Sequence, residues 1–378
     1  MINKPNKQKT TNPVISYNVA SKVKEIAEVK KEASVIYEKT KQNIKKVMLD
    51  IQNTGGLFDY ESVELTITTM LDFMNTHDNA FAYITKEILS FDDYLYNHSI
   101  NVCTIATAIL KKFNEHFSGS LNDFVISKSS FPFGNKFNHA FSYYLPEEIY
   151  SMSIGYFLHD IGKGLIPIEI LNKKDKLTAE ELEITRTHSF KKGIEITTKN
   201  NINNPFITNS VRYHHASLFT EEENCYPTSR DHHEIPPYVK ICKLADIYDA
   251  LTSKRSYKEA MNPINAVAMV FHKYAKKDPM LQFILHSFVK CIGIYPPGSI
   301  VFLTNGQMAY VIESNGPIII PFTDKDGVTL TRISDPIDLG EKHNKAVWAL
   351  NNEKAPISPI MAYDKLPKYL KDIIYDNA

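Results

Sequence analysis

The stretch Tyr156-Phe157-Leu158-His159-Asp160-Ile161-Gly162-Lys163 decides how the rest of the chain is read. An apolar run leads straight into an adjacent histidine and aspartate, and a glycine and a lysine follow at once. Imidazole and carboxylate side by side make a poor core and a good metal site, because both ligands leave the backbone close to one point. A carboxylate can also bridge two cations, which a lone histidine cannot. Read in isolation, the pair is better explained as a helix C-terminus with a charged cap, closed by Gly162. The residues on either side overturn that reading.

Composition sets the bounds. The chain has 378 residues, enough for two or three domains and a sizeable core. Hydrophobic content of 43% and charged content of 23% are ordinary for a soluble globular protein. A formal net charge of +0 gives no global electrostatic case for binding DNA, RNA or a membrane surface. Glycine is scarce, at 14 residues, which suits a largely helical body. Cys103, Cys225, Cys242 and Cys291 are scattered without a C-x-x-C pair, so neither a zinc ribbon nor a disulfide framework is expected. Met1 to Pro13 is polar, with no apolar core for a signal sequence, and no apolar run reaches the roughly 18 residues that span a bilayer. The expected compartment is the cytoplasm.

Outward from the central stretch, the pattern is mostly helical. Residues 1–16 read as a disordered tail. Val19, Val23, Ile26, Ala33, Ile36, Ile44, Val47 and Ile51 recur at helical steps, a thin stripe for packing on a neighbour or a second subunit. Helices are expected over Glu61–Asn75, Phe81–Leu89 and Phe91–Lys111, the last carrying His98. Residues 113–146 read as an insertion, with His116 and His139 unassigned. Thr178 followed by Glu181 is a capping box that opens a helix toward His188. A further apolar stretch, Pro205 to Tyr213, ends in His214-His215. Pro236-Pro237 opens a helix carrying Asp246 and Asp249, and more helices run to about Cys291. From Ile292 the pattern changes to short β-rich runs, Ser299–Leu303, Met308–Glu313 and Pro317–Phe322, separated by the turn signals Asn305-Gly306 and Asn315-Gly316. The expected fold is mainly α, a helical bundle with an N-terminal helical extension and a small C-terminal antiparallel β module. Its divisions are a tail 1–16, helices 17–84, a central domain 85–292, and the β module with a loose tail 293–378.

Between positions 98 and 246, five imidazoles and two carboxylates stand out at helical or helix-end sites: His98, His159, Asp160, His188, His214, His215 and Asp246. Two divalent metals sharing one carboxylate need about this inventory. Imidazole ligands favour Fe, Mn or Zn over Mg or Ca. Remote helices giving one or two ligands each are how a bundle builds such a centre.

The order and spacing resemble the HD-GYP branch of the HD phosphohydrolase superfamily. The resemblance is carried by YLYNHSINV (94–102), LHDIGKGLIPIEILNK (158–173), RTHSFKKG (186–193), YHH (213–215) and EIPPYVKICKLADIYDALTSKRSYKEA (234–260). It implies an HD-type helical bundle and a cyclic-di-GMP phosphodiesterase holding two divalent ions, Fe or Mn. One ion would take His98, His159, Asp160 and Asp246; the other would take Asp160 as bridge with His188, His214 and His215. Lys163 resembles the lysine that faces the bridging hydroxide and a phosphate oxygen. Arg255 and Lys258 match the phosphate-contacting pair, and Tyr226 the tyrosine beside the substrate. The product implied is pGpG, with GMP beyond it. A diguanylate cyclase domain and a second copy meeting through the N-terminal helices are the implied protein partners.

Three departures from the family pattern stand out. Tyr94 occupies the position of a glutamate that supports a third metal, so two metals are expected. Ala216 replaces the glutamate after the histidine pair, ten residues separate His215 from Tyr226-Pro227, and Cys225 replaces the glycine before them. The lost glycines remove backbone freedom from that loop. His232-His233-Glu234 is a rival pair, read as surface because it lies in a polar loop. Two other functions remain open: an HD-type hydrolase of a different nucleotide, and a scaffold that binds cyclic di-GMP or a cyclase domain without turnover.

Overall fold

The computed structural model describes residues 17–77, 94–127, 143–173, 175–253, 260–314, 317–347, 349–351 and 366–375. The expected tail at 1–16, the helix Phe81–Leu89, His139, Arg255, Lys258, the Asn315-Gly316 turn and most of the segment 356–378 lie outside them.

The fold is mainly α with one small sheet, as expected. Helix α1 is Tyr17–Thr54 and α2 is Tyr60–Thr76. The α1 stripe is real: Ala33, Ile36, Ile44, Val47 and Ile51 are buried, against α2 and the central helices of the same chain. Asp59 caps α2 by accepting from the Ser62 N–H. The long helix α3 spans Tyr94–Ser127. It overruns the expected end at Lys111, so the front of the expected insertion is helical. The reason is tertiary. Phe113 is buried, and the Asn114 amide clasps the Tyr144 backbone through two hydrogen bonds, at 2.7 and 3.1 Å.

Helix α4, Pro146–Phe157, packs on α3 and delivers the central stretch. It ends with Leu158 as C-cap, and a 3₁₀ turn, Ile161–Leu165, follows His159 and Asp160. The two ligand candidates therefore sit at the junction between helix and 3₁₀ turn, not under a cap closed by Gly162. The short α5 is Ile168–Leu171. Helix α6, Ala179–Thr187, opens with the expected capping box: Thr178 Oγ1 accepts from Glu181 N–H, and Glu181 Oε2 accepts from Thr178 N–H. It runs into a π-helical turn, His188–Gly193, and then α7, Ile194–Lys199. Helix α8 is Pro205–Tyr213, α9 is Pro237–Thr252, α10 is Pro263–Tyr274 and α11 is Pro279–Ile292.

Four antiparallel strands follow in the order β1 (Ile300–Phe302), β2 (Met308–Glu313), β3 (Ile318–Pro321) and β4 (Ile337–Asp338). The Asn305-Gly306 turn joins β1 to β2, with Gly306 at φ 95°, the left-handed region that favours glycine. Alternation along the strands divides their side chains between two clusters. Ile300, Tyr310, Ile312, Ile318 and Ile320 join the helical core, whereas Val301, Ala309, Val311, Ile319 and Ile337 make a second cluster. Two further short helices, α12 (Lys342–Val347) and α13 (Lys368–Tyr375), complete the described chain.

One close approach sets the site. A Cβ built on Gly162 would lie 1.8 Å from the His188 carbonyl oxygen and 2.6 Å from the Gly193 nitrogen. The 3₁₀ turn that carries Asp160 thus lies flush on the π turn that carries His188, backbone to backbone, and only glycine permits it. We expect Gly162→Ala to destabilise the protein by about 3 kcal/mol, the upper end of overpacking costs. Gly164→Ala would press only on the Ile51 side chain, at 2.7 Å, and costs less. Thermal unfolding of the two variants side by side checks the order.

Candidate metal centre

The junction after α4 supplies His159 and Asp160, α3 supplies His98, and the π turn supplies His188. His214 and His215 follow the end of α8, and α9 supplies Asp246. Among the described residues these seven converge. His98, His159 and Asp160 offer ligand atoms all within 4.8 Å of one another, and so do Asp160, His188, His214 and His215.

Asp160 belongs to both groups, and its two oxygens face different partners. Oδ2 lies 3.4 Å from His159 Nε2 and 3.5 Å from His98 Nε2, while Oδ1 lies 3.0 Å from His188 Nε2 and 3.7 Å from His214 Nε2. Asp246 stands alongside, with Oδ1 3.2 Å from His98 Nε2 and Oδ2 3.8 Å from His215 Nδ1. Lys163, one turn past Asp160, reaches back to pair with Asp160 Oδ2. His98, His159, Asp160, His188 and His214 are buried, whereas the His215 side chain is 25% exposed and Lys163 21%. The centre therefore opens along the His215–Lys163 side.

Hydrogen bonding fixes which ring nitrogens face inward. His159 Nδ1 donates to the Tyr156 carbonyl at 2.8 Å, His188 Nδ1 to the Thr185 carbonyl at 2.7 Å, and His214 Nδ1 to the Val211 carbonyl at 3.0 Å. Carbonyls only accept, so each Nδ1 carries a proton and each ring turns its Nε2 toward Asp160. Burial lowers the pKa of His188 and His214, which keeps them neutral. Their Nε2 atoms then face each other across 3.2 Å with no proton to share. His159 Nε2 and Asp160 Oδ1 are likewise buried without a hydrogen-bond partner. Each such group costs about 1–3 kcal/mol when left unsatisfied. A divalent cation is the partner that a set of inward lone pairs and carboxylates fits, and nitrogen-rich ligation selects a transition metal.

The carboxylates are held ionised. Burial works to raise the Asp160 carboxyl, but the charge of Lys163 and the imidazoles beside it hold it well below its ordinary value. Burial opposes ionisation at Asp246 as well, and the hydrogen bond and charge of His98 overcome it. Burial also pushes the Tyr226 phenol up, with Asp160 and Asp246 adding to it, so Tyr226 presents an O–H. Its ring stacks on His215 at 4.6 Å between centroids and 37° between planes.

Sequence reasoning missed the role of Asp249. Its Oδ2 receives His98 Nδ1–H at 2.7 Å, while Oδ1 accepts from Asn101 at 2.7 Å and from Ser253 at 3.0 Å. The available signal was its place one turn after Asp246, and Asn101's place three residues after His98. Arg255 and Lys258 fall outside the described residues. The rival pair also needs correcting. His233 is exposed, but His232 is buried, its Nδ1 2.9 Å from Asp231 Oδ1, because a 3₁₀ turn folds its ring inward. Asp231, His232 and His233 form a separate group, away from the seven.

Comparison with known proteins agrees with this geometry. Residues 146–281 match the model of the HD domain. The chain is 26% identical over 241 residues to the cyclic di-GMP phosphodiesterase PA4108 of Pseudomonas aeruginosa, covering 64% of this chain and 49% of that protein. It is 34% identical over 102 residues to the 3'3'-cGAMP-specific phosphodiesterase 2 of Vibrio cholerae, covering 27% of this chain and 19% of that protein. A solved structure, Bd1817, an HDG"Y"P protein from Bdellovibrio bacteriovorus, overlaps 72% of this chain and 78% of its own at 14% identity, with a TM-score of 0.47. The chain thus contains an HD domain. It spans about half the length of the first of these relatives and about a fifth of the second.

Two predictions follow from the proton positions. Burial favours a neutral His98, but Asp246 and Asp249 outweigh it and push the metal-free imidazole up to about 9. A metal must displace that Nε2 proton, so adding Mn²⁺ to metal-free protein near about pH 7.5 should release about one proton per chain from this ring. The release should fade above about pH 9 and vanish in His98→Gln, as read by calorimetry in buffers of different ionisation enthalpy. Asp249→Asn should weaken Mn²⁺ binding about 10–100-fold. The Asn101 and Ser253 donors would turn the new amide's NH₂ toward His98, forcing the ring proton onto Nε2.

Proposed function

We propose that the protein is a dimetal phosphodiesterase that hydrolyses cyclic di-GMP. The observation that carries this reading is the Asp160 carboxylate, whose two oxygens face two different sets of inward imidazole nitrogens. In this reading His98, His159, Asp160 and Asp246 hold one divalent ion, and Asp160, His188, His214 and His215 hold the second, Fe or Mn in each case. When bound, two such cations acidify a shared water and clamp the attacking and leaving oxygens of an in-line displacement at phosphorus.

The chain's own side chains do the rest. Asp160 and Asp246 stay ionised and fix the ligand geometry, and Asp249 holds the His98 ring in its working tautomer. Lys163 stands at the open side, where its ammonium stabilises charge growing on a non-bridging phosphoryl oxygen. Arg255 and Lys258, which follow the end of α9 in the sequence, supply a charged pair for the phosphate in this reading. Tyr226, tilted against His215, offers its ring and its O–H beside the substrate. The diester opened once is linear pGpG; a second cut gives GMP.

The wider assignments belong to the same proposal. Four cysteines without a disulfide among the described residues suit a reducing, cytoplasmic setting, and no described helix is long and apolar enough to cross a membrane. Val35 and Leu49 on α1 and Leu65 on α2 leave apolar side chains exposed, which supports pairing of two copies along these helices.

The test is turnover by protein reconstituted with Mn²⁺ or Fe²⁺, with metal content per chain measured in parallel. Wild type should cleave cyclic di-GMP in preference to 3'3'-cGAMP. Asp160→Ala should lose metal and turnover together. Lys163→Met should keep both metals and lose about 10²-fold in kcat, the usual cost of one electrostatic partner of the transition state. A fully loaded wild type that binds cyclic di-GMP without cleaving it would make the protein a scaffold, and cleavage of other nucleotides alone would reassign the substrate.

A further inference from the structure

The loop from His215 to Tyr226 is where the chain departs most from the HD-GYP pattern. It closes around a buried charge pair that the chemistry above leaves unused. Lys243 lies on α9, one turn before Asp246. Its ammonium donates to the Ala216 carbonyl at 2.8 Å and to Glu222 Oε2 at 3.0 Å, and lies 3.2 Å from Cys225 Sγ. The two charged side chains are only 8% and 3% exposed. Glu222 in turn accepts from the Leu218 N–H at 2.7 Å and from the Tyr274 hydroxyl at 2.9 Å, with Lys273 Nζ 3.6 Å away.

The placement of these contacts is informative. Ala216 is the residue immediately after His215, and Cys225 the one immediately before Tyr226. One ammonium thus ties both roots of the loop to the helix that carries Asp246. A main-chain hydrogen bond from Tyr226 N–H to the His215 carbonyl, 3.1 Å, closes the ring. Ala216 brings no carboxylate, and Glu222 reaches back from six residues further on to meet Lys243. Glu221 and Asn224 take positive φ, 65° and 60°, so the loop adopts left-handed backbone without glycine there. Burying two ions is costly and weak as a source of stability, but it fixes register where several hydrogen bonds complete it.

We propose that Lys243 and Glu222 are a positioning pair. They hold His215 and Tyr226 against Asp246, and so set the affinity of the metal subsite that includes His215 and the fit of the substrate beside Tyr226. The inference rests on the dimetal phosphodiesterase reading. Neither side chain touches the seven ligand candidates; each acts through the loop.

The experiment uses the full chain as Lys243→Met, Glu222→Gln and the double variant. The double variant removes both charges together and keeps the test alive if a lone buried charge prevents folding. Three quantities are read: Mn²⁺ affinity by electron paramagnetic resonance of the free ion, amide hydrogen exchange in peptides covering 216–227, and kcat and KM for cyclic di-GMP. Each variant should weaken one Mn²⁺ site about 10–100-fold, speed exchange in the loop, and raise KM more than it lowers kcat. The double variant should fall well short of the product of the two single effects, because the residues act as one unit. Folded variants with wild-type Mn²⁺ affinity and loop exchange would overturn the proposal, even if they melt earlier. Weakened Mn²⁺ binding and faster loop exchange in a protein that does not cleave cyclic di-GMP would uphold the pair and sink the substrate assignment instead.

Discussion

A buried carboxylate caught between two sets of imidazole lone pairs is the constraint on which the structure depends. Asp160 carries a negative charge in a buried centre, and Lys163 is its one lysine partner among the described residues. Around it, ring nitrogens whose protons point outward leave acceptors facing acceptors. Such an arrangement disfavours folding by itself. The surrounding chain holds these side chains in place, and a cation would convert opposed lone pairs into bonds.

The surrounding chain imposes that order with backbone rather than bulk. Gly162 lets the 3₁₀ turn lie on the π turn, so the Asp160 and His188 main chains pack directly together. The π turn itself places the His188 ring on Asp160, as π turns at functional sites do elsewhere. Helix α1, remote in sequence, ends against the same turn: Ile51 packs where a Cβ on Gly164 would sit. The N-terminal extension therefore shares the core of the central helices, and that core continues into one set of sheet side chains.

The ring orientations show how a core can serve chemistry. Three of the imidazoles are anchored by backbone carbonyls near helix ends, each accepting the ring N–H. The fourth, His98, is anchored by Asp249, which Asn101 and Ser253 hold from behind. Tautomer and direction of these four rings are thus set by partners outside the ligand set. The open flank, lined by His215, Tyr226 and Lys163, is the part left to a loop, and there a buried ion pair replaces backbone as the fixing element.

Periodicity, capping residues and turn signals were enough to mark the helices, including the Thr178 cap and the Pro237 start, and the sheet was legible from Asn305-Gly306 and the alternation around it. These are local preferences, and the chain carries them in each short segment. The ligand inventory was legible too, since histidines and aspartates at helix ends are conspicuous against an apolar background. What sequence did not show was anything that depends on distant chain segments meeting. The extension of α3 past Lys111 needed the Asn114–Tyr144 clasp, the burial of His232 needed a 3₁₀ turn against its neighbours, and the role of Asp249 needed His98 from another helix beside it. The sequence by itself determined which residues could bind a cation; only the tertiary structure decided which nitrogen of each ring faces inward and that Asp160 stands between two sets of them, because proton position and direction are set by partners that lie far away along the chain.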